Sequence, residues 1–470
     1  MKFIKKGYHI FFILGIFFLP FNSDMPSWLQ FLGEYSSDSS PLFFLISFSF
    51  FLIYTVFKGR VFIPLKSTEY SLFLLFVFVL SLSTLLKMPT IVDNYFKHTS
   101  GVERFIRQLI SLAISGFLFF IVFVNVGRDL GVLVFFKKIR RTFLISFIIV
   151  FSCGILEYLI ITYNANFLVP LIKVYDYLPF VEIKLDYRLL RVSSLTYEPP
   201  ALGTYIITIS GFMFSYILTS SKKYTRFLPF IFVVLLALIS KSRTALVVIL
   251  IQCLVGVFFA FKTYPKFRIL FIKAVVLSFV LVLVTMFLFW KPISNVVSKK
   301  IDSLNITKVE YSSKDNSVSN KSRLGIQVAM FEAFKQHPIV GTGWGQQSYV
   351  SRHYYPKWAL KNNYEFKASF QNENVKSFPP GFNLYLRIMT ETGIIGIIVF
   401  ISFLISVIKG TNLTYKMSDQ NKNISVTLFI GFVGFLFNWL QIDSFRIYGF
   451  WLCLAILVLF KSHLKERATF

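Results

Sequence analysis

Apolar runs recur from one end of this chain to the other, and they limit its fold more than any other feature of the sequence. About 17 to 25 apolar residues cross a bilayer as one helix. The membrane interior forces each such segment to satisfy its own backbone N–H and C=O groups. The runs predict twelve spans, near 8–21, 41–57, 70–86, 106–126, 143–163, 201–219, 227–240, 244–261, 269–290, 384–408, 424–440 and 446–460. The expected fold class is an all-α polytopic integral membrane protein of about 12 transmembrane helices. With 55% hydrophobic and only 15% charged residues, a soluble domain is excluded. The first run follows Lys2, Lys5 and Lys6 and has no small-x-small site before the Pro20/Asn22 turn, so it is expected to be a retained helix.

Lys and Arg are retained in cytoplasmic loops, and here they alternate from loop to loop. One side carries Lys2, Lys5 and Lys6, then Lys58, Arg60 and Lys66, then Arg128 with Lys137, Lys138, Arg140 and Arg141. It continues with Lys222, Lys223 and Arg226, with Lys262, Lys266 and Arg268, with Lys409, Lys416 and Lys422, and with Lys461, Lys465 and Arg467. Both termini are therefore expected in the cytoplasm. The net charge of +27 is largely this topological signal plus attraction to anionic lipid, so no nucleic-acid partner is expected. Cys153, Cys253 and Cys453 all fall within predicted spans and give no disulfide framework.

The spans divide the chain into residues 1–290 with helices one to nine, a long extracytoplasmic loop at 291–383, and residues 384–470 with helices ten to twelve. Residues 302–322 of the loop are polar and rich in Ser, Asn and Lys, and read as a flexible lead-in. Residues 323–336, RLGIQVAMFEAFKQ, set Leu324, Val328, Phe331 and Phe334 at three- and four-residue spacing and predict an amphipathic helix suited to a membrane surface. His337-Pro338 stops it, and IVGTGWG follows as a Gly-rich turn that fits neither the P-loop nor the dinucleotide spacing. Asn383 to Gly396, NLYLRIMTETGIIG, then opens a span with Arg387 and Glu391 one helical turn apart. Charges in such a place face a cavity, a partner or the interface.

In this order Arg323, the amphipathic helix, HPIVGTGWG and NLYLRIMTETGIIG resemble the C-terminal signature of the O-antigen polymerase and O-antigen ligase superfamily. Ser242 to Leu246, SRTAL, resembles that superfamily's SRG-type element, and Arg191 to Gly203, RVSSLTYEPPALG, resembles a segment common in its polymerases. The likeness covers roughly residues 190–400. The ligase pattern places His immediately before the Asn. This chain has Phe382 there, which tilts the reading towards a surface-polysaccharide polymerase.

The resemblance implies joining of polyprenyl-diphosphate-linked sugar repeats on the outer membrane face, with that lipid-linked oligosaccharide as donor and acceptor. Membrane lipids and a chain-length regulator protein are the other partners it implies. A diphosphate leaving group gains negative charge as its bond breaks, and Arg holds phosphate oxygens in a bidentate fork. Arg191, Arg243 and Arg323 are the expected catalytic cations, with Glu198 the first candidate base. Lys241, His337, Asn383, Arg387 and Glu391 are assigned to substrate binding. The structural alternatives are snorkelling, an Arg387–Glu391 pair, an Arg446–Asp443 pair, and a helix-start role for Glu198 before Pro199-Pro200. Neither an HExxH nor a Cys/His cluster is present, so metal-independent chemistry without a cofactor is expected. An O-antigen ligase or related transferase, and a flippase or other carrier of polysaccharide precursors, remain the competing functions.

Overall fold

A computed structural model of the protein describes residues 1–220, 224–263, 317–418 and 421–468. The predicted ninth span at 269–290, most of the polar lead-in, and Lys222, Lys223, Lys266 and Arg268 lie outside the described residues. The major helices are α1 (Lys2–Phe17), α2 (Ser40–Lys58), α3 (Thr68–Leu86), α4 (Gly101–Leu130), α5 (Val132–Tyr163) and α6 (Pro199–Thr219). They continue with α7 (Leu228–Ile239), α8 (Arg243–Thr263), α9 (Ser317–Gln336), α10 (Leu384–Met417), α11 (Lys422–Asn438) and α12 (Tyr448–Ala468).

Eight of them, α2 to α6, α8, α10 and α12, are long and apolar enough to cross a membrane. The protein is an all-α multi-pass membrane protein. The remaining predicted spans among the described residues fall on the shorter helices α1, α7 and α11. The only strands among the described residues are β1 (Tyr95–Phe96) and β2 (Thr99–Ser100), an antiparallel hairpin turned by Lys97 and His98, both with positive φ.

The chain divides into two compact units. The first contains Met1–Val79, Ile106–Gly256 and Gly396–Phe470. Its interior is aromatic: Phe73 meets Trp451 edge-on at 4.9 Å between centroids, and Trp439 lies 4.7 Å from Phe450. Such packing replaces the hydrophobic drive that lipid does not supply between helices. Gln252 of α8 adds polar glue, donating to the carbonyls of Ile207 in α6 and Ile430 in α11 at 3.1 and 2.9 Å.

The second unit contains Leu80–Phe105 and Val257–Ile395. Its helix α9 already includes Ser317, six residues before the Arg323 at which the amphipathic pattern opens, and it packs on protein a stripe other than Leu324, Val328, Phe331 and Phe334. Ile326, Ala329, Met330 and Ala333 pack with Tyr355, Ala359 and Phe366, whereas Leu324 and Phe331 stay about two-fifths exposed, at 38% and 42%. The small side chains on the buried face admit close approach: a Cβ on Gly325 would stand 2.4 Å from that of Ala359.

Candidate functional site

The two glycine motifs of the second unit form one interlocked structure. Gly393 interrupts α10 with φ 66° and ψ −165°, a conformation that side chains exclude. The break frees acceptors that a continuous helix would occupy. Ile394 N–H bonds to Pro338 O at 2.8 Å, and the released carbonyls of Thr390 and Glu391 accept from Thr342 and Gly343 N–H at 2.9 Å each. Gly341 lies so close that a Cβ would fall 2.4 Å from the Glu391 carbonyl carbon. Ser83 of α3 donates to Val340 O and to Glu391 O, and Thr84 Oγ1 accepts from Trp344 N–H at 3.0 Å.

This lock holds Arg387 and Glu391. Arg387 Nε donates to Glu391 Oε2 at 3.2 Å, with the side chains 8% and 0% exposed. The guanidinium stacks on Trp344 at 4.7 Å, and Glu391 Oε1 accepts from Gln347 N–H at 3.2 Å. Both charges are thus enclosed and positioned by the loop. Asn383 caps α10 through Leu386 N–H to its Oδ1 at 3.1 Å. Phe382, at φ 54°, presents its ring to Arg323, whose Cζ lies 5.0 Å from the centroid. The ring holds the flat face of the guanidinium.

Two histidines adjoin this loop. His337 is held below its usual pKa by burial and by Lys87, and His353 by burial and by Arg352. The Nε2 of His353 accepts from Arg352 Nε at 3.2 Å, so that lone pair is occupied.

The first unit holds Arg191, Glu198, Lys241 and Arg243. Glu157, buried near the end of α5, clamps the loop after Arg191 by accepting from Ser193 and Ser194 N–H at 3.2 and 2.7 Å. Asn22 fixes the same loop, bonding Leu195 O through its N–H and Tyr197 N–H through Oδ1. Glu198 is the residue before α6, and its side chain makes no capping bond there; it stays exposed. The N-terminus of α8 lies beside the first turn of α6, since a Cβ on Gly203 would sit 3.2 Å from that of Ala245 and 3.3 Å from Ser242 Oγ. Lys241, at φ 52°, and Arg243 are both exposed at this turn. Cations at a helix N-terminus oppose the macrodipole, so the placement favours an anion.

The sequence reading missed a third group, in the first unit. Arg446 Nη2 lies 3.8 Å from Glu34, and Tyr448 Oη donates to Asp38 at 3.2 Å. Burial would lower the Arg446 pKa, but Asp38, Tyr448 and Glu34 carry it above the ordinary value. The carboxylates come from the 22–40 loop, which local spacing does not connect to residue 446.

Residues 228–401 match a family model described as O-antigen ligase. They contain the α8 turn, the glycine lock and the α10 charges. This match supports placing the chain in the O-antigen polymerase and ligase superfamily. No curated protein sequence matches it. Within this superfamily domain fall Lys241, Arg243, Arg323, His337, Asn383, Arg387 and Glu391, whereas Arg191 and Glu198 precede it.

Proposed function

We propose that the protein is a surface-polysaccharide polymerase that joins polyprenyl-diphosphate-linked oligosaccharide repeats on the outer face of the cytoplasmic membrane. The observation that carries this choice is Phe382. Its ring supports Arg323 at the position where the ligase pattern has a proton-transferring His. A hydrocarbon ring moves no proton.

In the reaction, an acceptor sugar hydroxyl attacks the anomeric carbon of the donor repeat. The new C–O bond forms as the bond to the diphosphate oxygen breaks, and the electron pair leaves on the diphosphate. Arg243 and Lys241, exposed at the start of α8, are suited to that growing charge, with Arg191 and Arg323 as further cations. Exposed Glu198 is the carboxylate assigned to take the hydroxyl proton. Arg387, Glu391 and Asn383 act by holding the loop and the start of α10 in shape.

The family description itself favours a second reading, transfer of finished glycan by an O-antigen ligase. Complementation separates the two: in strains with one O-antigen, the gene restores the lipopolysaccharide ladder to a polymerase-deficient mutant and leaves a ligase-deficient mutant unchanged. Rescue of the ligase mutant alone refutes the proposal. Arg243→Ala abolishes the ladder at normal protein level, and Arg243→Lys restores part of it. Reporter fusions after Ser319 and Trp358 read outside, and those near Lys223 and Lys416 read inside.

A further inference from the structure

We infer that α9 lies in the membrane interface, with its outward stripe of Leu324, Val328 and Phe331 seated on lipid. Successive residues of a helix turn by about 100°, so these three side chains and Lys335 share one stripe. Ile326, Ala329 and Ala333 share another, half a turn round the helix. The second stripe packs on Tyr355, Ala359 and Phe366. On the first, Leu324 and Phe331 are exposed and Val328 is half-buried. A helix that is apolar on two opposite faces calls for apolar surroundings on both.

Lipid is the occupant because the outward stripe continues into side chains of spanning helices. The end of α3 and the start of α10 belong to the same unit as α9, and both helices are long and apolar enough to cross a membrane. Leu85 and Leu86 on α3 and Ile394 and Ile395 on α10 are exposed. The segment leaving α9 is tied to both helices: Ser83 Oγ donates to Val340 O, and Ile394 N–H donates to Pro338 O at 2.8 Å. Ile339, between the two ties, is 62% exposed. An apolar surface thus runs from Phe331 through Ile339 to two helices that already meet lipid, and exposed apolar surface of this kind marks a membrane contact.

Lys335 closes the stripe one turn beyond Phe331. Its Nζ lies 5.1 Å from the Phe331 centroid and 2.7 Å from Glu332 Oε1. A lysine stem laid along an apolar ring, with its charge at a polar neighbour, suits the boundary between hydrocarbon and headgroups. Helices bound in this way sink about 5–10 Å into that boundary. Arg323, one residue before Leu324, is then carried at headgroup depth, the depth of a lipid-borne phosphate. The inference stands whether the enzyme polymerises or ligates.

The test uses the full, unsubstituted chain in lipid nanodiscs with two photoactivated probes. One is a phosphatidylcholine with a diazirine high in an acyl chain, and the other is a water-soluble diazirine. Trypsin, cutting after Arg323 and Lys335, releases residues 324–335 as one peptide, and cutting after Lys367 and Lys376 releases the largely exposed loop 368–376 as a control. Mass spectrometry reads the adducts residue by residue. Lipid adducts are expected on Leu324, Val328 and Phe331, several times more abundant than on 368–376, and the water-soluble probe should rank the two peptides in the opposite order. A stripe labelled by the water-soluble probe alone faces water, and one labelled by neither probe is covered by protein, such as a second copy of the chain. Either result overturns the inference, as does lipid labelling confined to Ile326, Ala329 and Ala333.

Discussion

Replacing Arg387 with Met leaves the buried Glu391 carboxylate without its ion-pair partner. The carboxylate is fully buried, and its remaining donors are the backbone N–H groups of Gln347, at 3.2 Å, and Gly345. Breaking a buried pair by removing one partner costs about 3–5 kcal/mol, most of it for the uncompensated charge. Removing both charges, as in Arg387→Met/Glu391→Leu, is often close to neutral for a buried pair and leaves the Gln347 and Gly345 N–H groups without their carboxylate. The double variant is therefore more stable than Arg387→Met alone, an inversion that simple additivity forbids. The lock reports it locally, because the amides of Thr342 and Gly343 are bonded to Thr390 O and Glu391 O. A loss of about 3 kcal/mol raises their hydrogen exchange by roughly two orders of magnitude. Exchange measured by mass spectrometry in detergent should rank the proteins as wild type slowest, the double variant intermediate and Arg387→Met fastest. Wild-type exchange in Arg387→Met, or a double variant worse than the single, refutes the buried-pair account.

Gly393→Ala forces a Cβ to 2.1 Å from Ile339 O at a φ of 66° and breaks the lock at its centre. The backbone strain alone is about 1–3 kcal/mol, so folded protein judged by fluorescence size-exclusion should fall sharply; a normal monodisperse peak would argue against the lock. His337 has its folded pKa below the usual 6.5, through burial and then Lys87. The unfolded chain thus binds more protons between that lower value and about 6.5, so stability is fully present above the window and declines as pH falls through it. His337→Gln should melt with a shallower acid dependence than wild type, and parallel melting curves from pH 7.5 to 5.0 would contradict the assignment.

Helix positions were legible because apolar length is a local property. The runs at 70–86 and 201–219 became Thr68–Leu86 and Pro199–Thr219. The Arg387–Glu391 pair was legible for the same reason, since one helical turn joins them. The face of α9 that meets protein was not. Leu324 and Phe331 had the larger side chains, but the packing surface was set by how closely Ala329, Ala333 and Gly325 allowed a neighbour to approach. Periodicity reports that a helix is two-sided and leaves open which side meets protein. Lys97 also escaped notice, because its partners Ser369 and Ser377 lie far along the chain and a lone Lys in a turn resembles any solvated charge. The glycine turn had been read as a bare turn; its purpose emerged only when the kink at Gly393 exposed the carbonyls it satisfies.

The most direct test of the polymerase proposal is a reconstitution containing the purified protein and a single polyprenyl-diphosphate-linked repeat unit, without any lipid A–core. Products are resolved by mass spectrometry over time. The account predicts lipid-linked dimers, then longer oligomers, with one polyprenyl diphosphate released per bond formed. If the repeat unit stays unextended until lipid A–core is added, and a single transfer to it then follows, the protein is a ligase and the central claim is wrong.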